Sequence, residues 1–60
     1  MNTNRLIAWI DSHERPEPTI DNGNGTLTVA SEAILAGGQL VVEREVIPAT
    51  LSAARDLLGY

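Results

Sequence analysis

"TVASEAILAGGQLVVERE", Thr28 to Glu45, decides the fold. Two runs of alternating apolar and polar residues flank Gly37-Gly38, the pattern of two antiparallel strands joined by a tight turn. With Gly37-Gly38 as a two-residue loop, Leu35 opposes Leu40, Ala33 opposes Val42, Ser31 opposes Arg44 and Val29 opposes Val46, giving one face that is nearly all apolar. The other face then holds Ile34/Val41, Glu32/Glu43, Ala30/Glu45 and Thr28/Ile47. A slip of one residue scrambles this partition, so the pattern predicts that register. It also predicts two glutamates side by side on the open face of a sheet, where like charges opposed cost a few tenths of a kcal/mol or more.

Working outward, "TIDNGNGTLTV" (Thr19 to Val29) reads as a first hairpin. Gly23-Asn24 suits a type II′ turn and pairs Ile20 with Leu27 and Thr19 with Thr28; Asn22-Gly23 or Asn24-Gly25 shifts the tip by one residue. Before it, Leu6, Ile7 and Ile10 recur at helical spacing with Trp9 beside them, which predicts an amphipathic helix from Thr3 to about Glu14. Thr3 is its expected cap, with Asn2 and Asn4 as alternatives, and "RPEP" ends it, because proline disfavours a helical residue before it. After the second hairpin Pro48 marks the strand end. Thr50 then caps a short helix that turns Leu51, Ala54, Leu57 and Leu58 to the core, and Gly59 stops it.

The expected fold class is therefore α+β. A single domain over residues 1–60 runs in the order α-β-β-β-α, a three-stranded antiparallel meander with both helices on one face. A chain this short buries only about 60% of the surface it exposes when unfolded. It has no cysteine to staple it, and Trp9 and Tyr60 are its only aromatic residues. A hydrophobic content of 43% is nonetheless that of a folded chain.

Composition narrows the function. Eight carboxylates against four arginines give a net charge of −4, opposite to what phosphate neutralisation needs, so direct nucleic-acid binding is not expected. No apolar run is long enough for a membrane span and no basic segment leads into an apolar one, so no membrane role and a cytoplasmic location are expected. Asn24-Gly25-Thr26 is then a chance sequon.

Neither catalysis nor cofactor binding has a signature. The one histidine, His13, stands at a helix end and reads as a surface residue; three serines complete the possible nucleophilic chemistry. Asp21 and Glu32 stand at the first and twelfth positions of a calcium loop, but Gly23, Gly25 and Thr26 fill positions that need oxygen ligands and a turn glycine. The reading is of a protein that is not an enzyme and takes no cofactor and no metal.

What remains is the cluster Glu32, Glu43 and Glu45 beside Ile34, Val41 and Ile47, an apolar strip bordered by carboxylates. These six residues are the candidate partner-binding site, suited to a protein with a basic surface. The same strip is, in an alternative reading, the seam of a homodimer. Arg44, in this register on the apolar face, is expected to lie at the sheet's edge and reach water or a carboxylate such as Asp56.

"DNGNGTLTV", the hairpin after it and the ending "IPATLSAARDLLGY" resemble small reading frames of tailed phages and prophages of proteobacteria. That size class includes anti-CRISPR and other host-takeover factors. The resemblance implies an acidic accessory protein that acts in the host cell by stoichiometric binding, and it carries no site residue with it.

Overall fold

The computed structural model describes residues 2–60. Helix α1 spans Thr3–Asp11 and is capped by Asn2, whose side-chain oxygen accepts a hydrogen bond from the Arg5 N–H at 2.8 Å. Of the three candidate caps, the one that precedes the helix by a full residue is used. Three strands follow: β1 (Ile20–Asp21), β2 (Thr26–Ile34) and β3 (Leu40–Pro48), antiparallel and in the order β1-β2-β3. Helix α2 spans Leu51–Leu58. The Thr50 hydroxyl accepts from the Ala53 N–H at 3.1 Å, and Gly59 takes the left-handed conformation (φ 85°) that closes the helix. The architecture is α+β in the order α-β-β-β-α.

Both helices lie on one face of the sheet. Leu6 and Ile10 of α1 meet Leu27 and Val29 of β2, Ile47 of β3 and Ala54 of α2 in a single buried cluster, flanked by Ile7, Trp9, Ala53, Leu57 and Leu58. Leu51, expected in the core, stays exposed. A second tie holds α1 to the sheet. The Asp11 carboxylate accepts from both the hydroxyl (2.6 Å) and the N–H (3.1 Å) of Thr19, so the buried threonine is satisfied by charge-assisted bonds.

The registers differ from the expected ones by one residue in both hairpins. Ile20 pairs with Thr28 and Asp21 with Leu27; in the second hairpin Leu27 pairs with Ile47, Val29 with Glu45, Ser31 with Glu43, Ala33 with Val41, and Ile34 with Leu40. The cause is loop length. The Leu35 N–H donates to the Gln39 carbonyl and the Gly38 N–H to the Leu35 carbonyl, so the loop is Ala36-Gly37-Gly38, three residues, with Gly38 left-handed at φ 82°. This is the turn-plus-bulge loop that follows the natural strand twist. The first hairpin likewise turns on Gly23-Asn24-Gly25, closed by a bond from the Asn22 N–H to the Thr26 carbonyl.

The faces of β2 are as expected, with Leu27, Val29, Ser31 and Ala33 toward the helices. Those of β3 are inverted: Ile47 goes inward, buried to 7% exposure, and Val46 goes outward. Packing favours this register, because it puts the larger side chain, Ile47, against Leu27 and Ala54.

Candidate binding surfaces

Inverting β3 separates the expected glutamate cluster. Glu32 lies opposite Val42 on the outer face, away from the helices, with Ile34 two residues on. Glu43 and Glu45 lie opposite Ser31 and Val29 on the helix-side face, and Val41 shares that face opposite Ala33. Ile47 is in the core. The Glu32/Glu43 contact therefore does not form: the two side chains point to opposite sides of the sheet. Of the six candidate residues, Val41, Glu43, Glu45 and Ile47 share the helix-side face, Val41 half-buried and Ile47 in the core, while Glu32 and Ile34 share the outer face.

β3 is an edge strand, and at its helix-side face the chain leaves an acidic rim. Glu45 joins Asp56 of α2, with Ile47, Ala53 and Leu57, in lining a shallow cleft of about 440 Å³. Residues Glu43 and Glu45 are exposed, and among the described residues neither takes part in an ion pair. Arg15 reaches Ser31, the residue opposite Glu43, but its guanidinium donates to the Ser31 hydroxyl (3.2 Å) and the His13 carbonyl (3.4 Å). Asp56 belongs to this rim, which sequence reasoning assigned only as a possible partner of Arg44. Its spacing within α2 places it on the strand side only once the inward turn of Ile47 is known.

Arg44 is on the outer face, opposite Ala30, and binds Glu17 rather than Asp56. Its Nε and Nη2 donate to the two carboxylate oxygens at 2.8 and 2.7 Å, a bidentate pair. The carboxylate holds the guanidinium's pKa above its ordinary value, through the hydrogen bond first and the charge second. Because Glu17 precedes β1 and Arg44 is on β3, the bridge crosses β2 at Ala30. Ala30 is buried although it faces outward.

His13 is not the free surface residue the sequence suggested. Its ring is half-buried, Nδ1 donates to the Trp9 carbonyl at 2.8 Å, and it stacks edge-on with Trp9 (4.9 Å) and Tyr60 (5.3 Å). The four-residue spacing of Trp9 and His13 was legible as a helical pair; the approach of Tyr60 from the far end of the chain was not. Asp21 and Glu32, the two ends of the calcium-loop comparison, turn to opposite faces, and Asp21 accepts from the Gly23 N–H at 2.9 Å as a turn residue.

No helix among the described residues is long and apolar enough to cross a membrane. No family model, curated protein or solved structure matches the chain.

Proposed function

We propose that this chain acts by stoichiometric binding to a host protein with a basic surface, as an anti-CRISPR-like or other host-takeover inhibitor of phage or prophage type working in the host cytoplasm. It works by occupying a surface and not by catalysing a reaction. The observation that carries this reading is the acidic rim on the helix-side face of β3, where Glu45 lines a cleft with Asp56, Glu43 stands exposed two residues away, and none of the three takes part in an ion pair among the described residues. Carboxylates held on a strand and a helix, with no ion pair to a cation among the described residues, favour a partner that brings its own, and they speed its approach. His13 supports the same reading, since its Nδ1 is committed to a backbone carbonyl within an aromatic cluster.

Affinity capture from a bacterial lysate tests it, comparing wild type with the Glu43→Lys/Glu45→Lys variant and with Glu32→Lys, at low and high salt. One host protein is expected to be retained by wild type and by Glu32→Lys, lost by the double variant and weakened by salt. Equal retention by wild type and the double variant removes the acidic rim from the function.

A further inference from the structure

The outer face of the sheet is left bare by both helices. Ile20, Ile34, Leu40, Val42 and Val46 all turn to it and are 55, 76, 63, 40 and 63% exposed, although a core of this size has few large apolar side chains to spare. β2 and β3 are nine residues each, roughly 30 Å long. Beyond Ala30 the hairpin holds no buried residue, so its apolar end projects from the core. A two-stranded ribbon is marginal in water unless something packs on it.

We propose that a second copy of this chain covers the outer face, the two sheets packing face to face about a twofold axis. The area suits that occupant: the five side chains expose on the order of 500 Å² of apolar surface, at the upper end of what a soluble monomer leaves open. That is a large part of the roughly 800 Å² each partner gives to a standard interface. The charge suits it too. At the outward-turning strand positions the charged side chains are Arg44, neutralised by Glu17, and Glu32, so one uncompensated charge lies on this face while the chain as a whole carries −4. Two copies meet here with one uncompensated carboxylate each, and so with less repulsion than a pairing through the acidic rim of Glu43, Glu45 and Asp56 incurs. A basic partner, by contrast, finds little on this face to recognise. Edge pairing of β3 with its own copy is disfavoured, because Glu43, Arg44 and Glu45 sit in the middle of that edge, the usual device against it. A face-to-face seam also leaves the acidic rim of each copy free.

Sedimentation velocity over a range of concentrations tests the seam, using wild type and a Val42→Lys/Val46→Lys variant. The wild-type chain is expected to pass from monomer to dimer as concentration rises, while the variant stays monomeric. Should the variant fail to fold, the absence of native cysteine allows a second measurement: thiol labelling of Val42→Cys against Ser52→Cys on the exposed side of α2. Labelling at position 42 is expected to slow as concentration rises and labelling at position 52 to hold constant. A wild-type chain that is monomeric at every concentration leaves the face to a partner of another kind and overturns the proposal. A dimer that survives the double substitution, or that labels at position 42 as fast as the monomer does, overturns it equally.

Discussion

Glu14 is the one non-glycine residue among those described with a positive φ, 58°. It closes the turn that follows α1, two residues beyond the Ser12 cap, in the left-handed conformation that glycine and asparagine take most readily, and its N–H donates to the Asp11 carbonyl at 3.2 Å. A side chain there costs about 1 kcal/mol or more in backbone strain, only part of which the added freedom of an unfolded glycine offsets. Glu14→Gly is therefore expected to stabilise the protein by about 0.5 kcal/mol, read as a rise of a few degrees in the thermal midpoint by circular dichroism. A fall in the midpoint would mean that the Glu14 side chain contributes more than its strain removes. The same corner shows why the end of α1 was legible only approximately. "RPEP" does bar the helix, but the helix stops three residues sooner, at Asp11. The Ser12 hydroxyl (2.6 Å) and the His13 ring (2.8 Å) both donate to the Trp9 carbonyl, capturing an acceptor of the last turn. Side chains that bind nearby backbone compete with further helix, a local effect that proline counting does not see.

At the scale of the elements, the number and order of helices and strands followed from periodicity and punctuation, and so did the inward face of β2. The facing of β3 did not, because it depends on whether the Gly-Gly loop spans two residues or three. Both loops are sterically open to a sequence with two adjacent glycines, and alternation along β3 is ambiguous. Val42, Arg44 and Val46 alternate with Val41, Glu43, Glu45 and Ile47, and each set mixes apolar with charged residues. The decision belongs to tertiary packing, where Ile47 meets Leu27 and Ala54. The expected contact of Glu32 with Glu43 failed for the same reason, since one residue of slip sends a whole strand's side chains to the other side. The register has a direct energetic signature. Ile47→Ala is expected to cost about 2–4 kcal/mol in urea unfolding, the usual loss for a buried isoleucine. Val46→Ala, measured at low concentration where the outer face is free, is expected to stay within about 0.5 kcal/mol of wild type. The reverse ranking would restore the two-residue loop and with it the opposed glutamates.

For the whole molecule the question is what closes so small a chain. Buried large side chains are few, Ile10, Leu27 and Val29 being fully enclosed, and α1 and α2 are short enough that neither holds by itself. The two ends of the chain supply a further clasp. Tyr60, just beyond α2, packs 6.1 Å from Trp9 and 5.3 Å from His13 of the first helix and its exit, so the final residue ties the second helix to the first. Because Trp9 is the only tryptophan, its fluorescence reports this clasp directly. Tyr60→Ala is expected to shift Trp9 emission to the red in the folded protein, and to cost about 1 kcal/mol, the scale of aromatic pairs lost beyond their area. In wild type, unfolding followed by fluorescence and by far-ultraviolet circular dichroism is expected to coincide, because the clasp joins both helices to the same sheet and none of these parts has a core of its own. If Tyr60→Ala leaves both the emission and the midpoint unchanged, the aromatic trio is a contact without a role in cohesion. The six-residue cluster of Leu6, Ile10, Leu27, Val29, Ile47 and Ala54 would then have to hold the chain alone, a demand on so small a core that makes covering the outer face by a second copy the more necessary.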